Sequence, residues 1–349
     1  MGKLEIIDVV GALKFSVSWL TNGKVWLIAL ILFILNCIHS VVGAFVTSAI
    51  YNVSLMSIFI GAAGRSAETR AILYASSNPQ AMFVNLGASL AVYIPYMIIA
   101  SYLSAFIYRI SLEKRGFTIA QFDPSRFINY VLLRIAFYVS VLFPFFDKRL
   151  LAASFVCAIL VALGAAIAAF HMVVGPIAVL LMLLAMAAGL VWFFIMAYSL
   201  TRLLSANAIF LNQGKGVVDS LKGAVSLTDG RVQSTFISCL CVFIPIVAVF
   251  VCVSIPLTFL SAAFAQRVIV GSIAIQLVLL AIAAFILQPV EIFSVTAIYD
   301  WLMNPAAASK PSIATVSSQA VSSDASAVSL PLSKPKAKPA AKKSVAKKR

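Results

Sequence analysis

Charge is scarce in this chain of 349 residues. Only 11% are Asp, Glu, Lys or Arg, against roughly 25% in soluble domains, and only 11 are acidic. Hydrophobic residues reach 62% and the mean hydropathy is +1.06. So little charge cannot solvate a globular surface, which excludes a water-soluble fold. Strict alternation of apolar and polar residues is also lacking, which excludes a transmembrane barrel. The apolar runs exceed the roughly 20 residues a helix needs to cross about 30 Å of hydrocarbon. The remaining class is all-α, a polytopic membrane helical bundle.

Catalytic signatures are lacking too. The sequence holds no H-E-x-x-H, no G-x-S-x-G, no Walker loop and no dinucleotide fingerprint. Its two histidines, His39 and His171, are far apart and have no carboxylate neighbour. No enzyme activity, cofactor or metal is expected. The five cysteines, Cys37, Cys157, Cys239, Cys241 and Cys252, all fall in apolar segments and read as small packing residues. Cys239 and Cys241, two apart on a helix, point in different directions, which suits neither a bond nor a metal.

What is present is a succession of apolar segments. Residues 3–21 place Ile6, Val9, Val10, Leu13, Val17 and Leu20 at helical spacing, interrupted by Lys14. This predicts an amphipathic interfacial helix over 1–23 that lies in the membrane surface. The six-span membrane domain, 24–303, is expected to cross at about 25–50, 86–108, 150–170, 172–200, 236–264 and 268–288. Segment 127–146 is apolar as well, but Tyr130, Arg134 and Tyr138 form a polar stripe at i+4 spacing and Pro144-Phe-Phe-Asp147-Lys148-Arg149 follows. It is expected to be interfacial or re-entrant.

Charge bias decides the parity. Outside the tail, six spans with a cytoplasmic N-terminus put 14 Lys and Arg on the inner side, leaving only Arg65, Arg70 and Arg267, 3 in all, outside. Counting 127–146 as a seventh span buries Arg134 and splits the remainder 8 to 8. Cationic flanks concentrate on the cytoplasmic side, so six spans are expected, with both termini cytoplasmic in the cell membrane. The sequon Asn52-Val53-Ser54 abuts the membrane and carries little weight.

The net charge of +15 owes much to the last residues. Segment 304–349 is rich in Ala, Pro, Ser and Lys and ends in Lys334, Lys336, Lys338, Lys342, Lys343, Lys347, Lys348 and Arg349. Such a composition offers no packable face, so a disordered, solvated basic arm is expected. Its implied partners are anionic lipid headgroups, with nucleic acid or an acidic protein as further candidates.

The stretch Trp192–Arg231 runs from a span through Arg202, an apolar strip Ala206–Leu211, a glycine-punctuated turn and an amphipathic segment. It resembles the membrane domain of the glycerophosphoryl diester phosphodiesterase membrane-domain family, in which a helix reading roughly "leAlkrSwrltkGr" precedes the fifth span. Leu221, Lys222, Leu227, Thr228, Gly230 and Arg231 match it, while Ala224 replaces the usual Ser and Val225 the usual Trp. The ending Thr296-Ala-Ile-Tyr299-Asp-Trp-Leu302 is similar to the family's "lYydLr", so the resemblance covers about residues 5–303. It implies a six-helix body with cytoplasmic amphipathic helices, no chemistry assigned to that body, and here no catalytic domain.

Gln276, Gln288 and Glu291 of the last helix are the candidate polar membrane site, because a carboxylate near lipid costs at least about 2.5 kcal/mol. They could line a cavity, or Glu291 could simply meet Arg231 or a Lys at the headgroups. Prolines Pro95, Pro176, Pro245, Pro256 and Pro289 interrupt spans, as in transporters and in inert bundles. The first expectation is therefore a non-enzymatic protein of membrane organisation, homeostasis or scaffolding, and the alternative is a secondary transporter or channel.

Overall fold

A computed structural model describes residues 6–51, 79–121, 123–170, 176–265 and 269–304. The chain divides into Met1–Pro311 and Ser312–Arg349. The second unit, with the basic arm, lies outside the described residues, as do His171, Arg65, Arg70, Arg267 and the Asn52 sequon. The described residues are helical and contain no strand: α1 (Val9–Val17), a 3-10 turn (Ser18–Thr21), α2 (Gly23–Tyr51), α3 (Pro79–Lys114), α4 (Pro124–Leu142), α5 (Lys148–Phe170), α6 (Pro176–Leu203), α7 (Ala206–Gln213), α8 (Val217–Leu227), α9 (Val232–Ala265), α10 (Ile269–Ile282), a π turn (Ala283–Leu287) and α11 (Gln288–Met303).

Six stretches are long and apolar enough to cross a membrane: Gly23–Tyr51, Val84–Lys114, Pro124–Leu142, Val179–Gln213, Val232–Leu260 and Ile273–Met303. α5, also apolar, adds a helix of 23 residues. Length and composition therefore admit α4 too, as the shortest and least apolar of the six. The helices turn large apolar side chains outward in helical rows, such as Leu27, Ile31, Ile34 and Ile38 on α2. A soluble monomer rarely exposes such continuous surface, and a bilayer would cover it.

Helix ends differ from the sequence expectation in ways local chemistry explains. The last span does not stop near 288. At Ala283–Leu287 the hydrogen-bond ladder widens into a π turn, and Pro289 sits at the start of α11. A proline lacks an N–H and crowds the preceding turn, and the widened turn relieves both conflicts, so the rod continues to Met303. α3 spans 36 residues, roughly 54 Å at 1.5 Å per residue, well beyond the hydrocarbon. Pro95 leaves it unbroken.

The C-terminal turns of α3, α6 and α11 meet α1, α7 and α8 in a charged end of the bundle. Arg115 pairs with Asp300 at 3.0 Å and covers the Phe15 ring at 3.9 Å. Arg202 pairs with Asp229 and donates to the Val225 carbonyl at 3.1 Å, tying α6 to α8. Lys114 donates to the Ser18 carbonyl at 2.7 Å. Gly214, at φ 66°, ends α7 in the left-handed region. A side chain there would also displace the Arg126 guanidinium, and the positive φ favours glycine.

α1 is two-faced. Asp8 caps it by accepting from Gly11 N at 3.0 Å. Ala12, Ser16 and Trp19 are buried against the bundle, while Val10, Val17 and Leu20 of the predicted apolar stripe remain exposed. The small-residue face packs on α11, and the larger apolar face is left for lipid.

α4 begins and ends its excursion at this same charged end. Asp123 caps its start, and Arg126 reaches Gly214 of α7 and the Gln121 carbonyl. At its other end Leu142 accepts from Trp192 Nε1 at 3.1 Å, halfway along α6. The chain then returns so that the Phe146 ring lies 5.9 Å from the Arg202 guanidinium. Asp147 next caps α5, accepting from Arg149 N at 2.8 Å.

Candidate functional site

α11 is the central helix. Between Pro289 and Leu302 every residue is buried except Glu291, which is exposed, and Asp300, which is half-buried. Small polar side chains stitch it to its neighbours. The Ser294 and Ser16 hydroxyls share a hydrogen bond at 2.7 Å, as do those of Thr296 and Ser111. Gln288 donates to the Ser104 hydroxyl at 2.9 Å, and Tyr299 accepts from Asn212 at 2.9 Å. Ser294 and Thr296 also back-bond to Val290 and Ile292 carbonyls one turn earlier, which satisfies them inside an apolar setting.

Glu291 departs from that pattern. It is exposed where its neighbours are buried, and no hydrogen bond or ion pair holds its carboxylate among the described residues. The charge that acts on it is Arg134 of α4, not Arg231 or a lysine. Arg134 donates to the Tyr138 hydroxyl at 2.8 Å and interacts with Tyr130 and Tyr108. Tyr108 of α3, 4% exposed, experiences both Glu291 and Arg134, and the Asn207 amide of α7 hydrogen-bonds its phenol. Four helices thus converge on one acid, one base and three phenols.

Of the three residues expected from sequence, Gln288 and Glu291 share this neighbourhood. Gln276 does not. It precedes Gln288 by about 18 Å along the rod and lines a cavity of about 620 Å³ with Cys37, Ser40 and Val41. The polar stripe Tyr130, Arg134, Tyr138 was visible in sequence, but its partners were not. Ser104, Tyr108 and Asn207 lie in runs whose only signal is a polar group amid apolar neighbours.

A smaller polar knot joins α2 and α3. Tyr96 donates to Asn36 Oδ1 at 2.6 Å, and the His39 ring lies 4.4 Å from the Tyr96 ring. Tyr96 also feels Arg134 and Tyr138, so the string of polar groups continues toward Glu291. The cysteines are all unbridged, with Cys157 buried. Outside the spanning segments, burial pulls Arg115 down, and Asp300 opposes that shift. The backbone N–H of Arg126 and the Ser125 hydroxyl hold Asp123 below the usual carboxylate range. No group of three or more His, Cys, Asp or Glu among the described residues is placed to hold a metal.

An apolar crevice of about 290 Å³ opens on the α9 side of the last rod, lined by Leu13, Val17, Pro245, Phe250, Ile286 and Val290. Its surface offers apolar contact and no catalytic group.

Comparison with protein-family models, curated proteins and solved structures gives no match. What the helices establish by themselves is a class: this is a multi-pass integral membrane protein.

Proposed function

We propose that this protein is a non-enzymatic component of the cell membrane whose charged end faces the cytoplasm. There its interfacial helices and basic arm hold anionic headgroups or an acidic partner, in membrane organisation or homeostasis. The observation that carries the reading is the asymmetry of the body: short amphipathic helices and the two ion pairs of the described residues gather at one end, while exposed apolar rows cover the long helices. The return of α4 to that end supports six crossings rather than seven, and hence both termini on one side. The likeness to the glycerophosphoryl diester phosphodiesterase membrane-domain family, drawn from the residues quoted above, fits a body without chemistry of its own.

Truncation after Asn304 tests the role of the arm. The body should still integrate, while binding to acidic vesicles falls by about 1 kcal/mol per cation lost from the surface and weakens with salt. Equal binding with and without the arm refutes this role. A cysteine at Lys215 and another in the arm should label from the same side of the membrane.

A second reading, a transporter or channel, draws on the exposed carboxylate of Glu291 in an otherwise buried run of the last rod. Its test is flux across reconstituted liposomes for wild type and Glu291→Gln. Flux that the substitution abolishes would favour transport, and membrane integration without flux would favour the scaffold.

A further inference from the structure

Next to the Arg202–Asp229 pair, α6 and α9 leave a cavity of about 490 Å³ between them. That volume lies within the roughly 300–1,000 Å³ of sites that hold small molecules. Tyr198, Thr201 and Gln233 supply its polar lining, and Phe194, Ala197 and Phe236 supply the apolar part. The two kinds are sorted along the helices. Counted away from the ion pair, Thr201 and Tyr198 fall within about a turn of α6 and Gln233 within the first turn of α9, while Phe236 and Phe194 lie about one and two turns in.

Depth gives that gradient a meaning. Asp229 precedes the apolar stretch Val232–Leu260, and the first two residues of the stretch, Val232 and Gln233, line the cavity. Its polar end therefore stands at the boundary of the hydrocarbon and its aromatic end inside it. A phospholipid presents its phosphate and its chains in the same order.

The unused groups at the polar end are donors. The Tyr198 hydroxyl accepts from Arg202 Nη1 at 3.1 Å, and its own proton has no acceptor among the described residues. A guanidinium bonded to that oxygen polarises the O–H and makes it a stronger donor. Thr201 gives its proton to the Ala197 carbonyl at 2.9 Å, whereas the exposed Gln233 amide makes no hydrogen bond among the described residues. Charge agrees with chemistry. Asp229 balances Arg202, while Arg231, which adjoins Val232, forms no ion pair among the described residues. The mouth thus carries a cation in excess, beside donors that suit an oxyanion.

We propose that the cavity between α6 and α9 binds one anionic glycerophospholipid, its phosphate accepting from Tyr198 and Gln233 and balancing Arg231, with one acyl chain between Phe194 and Phe236. The site rests on the reading of the charged end as a face for anionic lipid, and it deepens that reading by placing a single lipid in the body without the arm. A zwitterionic lipid fits the walls equally well but brings its own cation to the mouth, so it is held less tightly.

The experiment reconstitutes the full chain with equal fractions of phosphatidylglycerol and phosphatidylcholine. A detergent wash at about 1 M salt, where the screening length is about 3 Å, releases lipid attracted by the arm, and the retained lipids are counted by mass spectrometry. Phosphatidylglycerol should be retained over phosphatidylcholine. Ala197→Phe, which fills the cavity, should lower that retention about tenfold, and Gln233→Leu should shrink the preference several-fold, the scale of one hydrogen bond to a charged group. Phosphatidylglycerol carrying a diazirine on an acyl chain should crosslink the wild type at Phe194, Ala197 or Phe236. Equal retention of the two lipids by the wild type would overturn the site, as would crosslinks confined to other helices or unchanged retention in folded Ala197→Phe. If Ala197→Phe does not fold, Gln233→Leu at its exposed position and the wild-type crosslinks decide. Failure of the arm to bind acidic vesicles leaves these readouts unmoved, whereas absent retention with vesicle binding intact strikes the cavity alone.

Discussion

The charged end and the opposite half of the bundle solve the same packing problem differently. At the charged end, helices are fixed by specific polar ties: Arg115 to Asp300 and Phe15, Arg202 to Asp229 and Val225, Tyr299 to Asn212. Farther along, α5 and α6 meet where Gly164 faces Ala185 so closely that a Cβ on the glycine would have no room, and α2 and α3 are joined by the Tyr96–Asn36 bond described above. Lipid tails are as apolar as leucine, so helices there are held by close approach rather than by a hydrophobic drive. Polar ties choose one register, whereas small-residue contacts choose only a distance. The charged end should therefore be the more resistant to sliding and the more sensitive to single side-chain deletions.

The strongest way to break that contrast is Arg202→Ala. It removes an ion pair, a backbone hydrogen bond and the ring contacts to Tyr198 and Phe146. A loss of about 2–3 kcal/mol is expected in denaturant unfolding in micelles, discounted because Asp229 is solvent-exposed. Hydrogen exchange should rise over Val217–Leu227 first. Next comes Tyr299→Phe. The ring stays packed but Asn212 and Gln213 lose their acceptor, and about 1–2 kcal/mol should disappear by the same measurement. On the other side of the comparison, Tyr96→Phe deletes the bond to Asn36 and should cost only about 0.6 kcal/mol, the average for bonds between membrane helices. A larger loss from Tyr96→Phe than from Tyr299→Phe would reverse the contrast.

The smallest effect sharpens it through pH. Asp123 is held below its usual range by donors present only when α4 is folded. Its contribution is therefore complete above the unfolded carboxylate value of about 3.9 and is lost as pH falls through the lower folded value. Acidification should fray the start of α4, read as faster amide exchange at Arg126 and Phe127. Asp123→Asn, which keeps an oxygen acceptor without titrating, should make that fraying independent of pH.

The sequence made the architecture legible because spans announce themselves by length and apolarity. Val25, Ala29 and Leu32 became core while Leu27 and Ile31 did not, and composition is indifferent to that choice, since both faces of a membrane helix are apolar. The same indifference hid the centrality of α11. Its sequence, QPVEIFSVTAIYDWLM, is less apolar than α9 and α10, yet it lies innermost because Ser294, Thr296 and Ala297 are small enough for α1 and α3 to approach. The stripe Tyr130, Arg134, Tyr138 was readable at i+4 spacing, but its acidic counterpart lies more than 150 residues away, and no periodicity connects helices that distant. Glu291 was found by cost alone: a carboxylate in such a segment needs an explanation wherever it falls. Residues of the arm, Lys334 to Arg349, were read from composition, and composition carries no geometry.

The π turn at Ala283–Leu287 acts as a phase shifter. Each residue of an α-helix advances about 100° around the axis, so one widened turn rotates everything beyond it relative to Gln276 and the outer half of the rod. Forcing those five residues into a regular α-helix would swing Glu291 away from Arg134, whereas deleting one of them would remove the extra residue that the widened turn absorbs and return the carboxylate to nearly the same side. The azimuth of one acid is thus encoded by the pitch of a segment that contains no polar side chain.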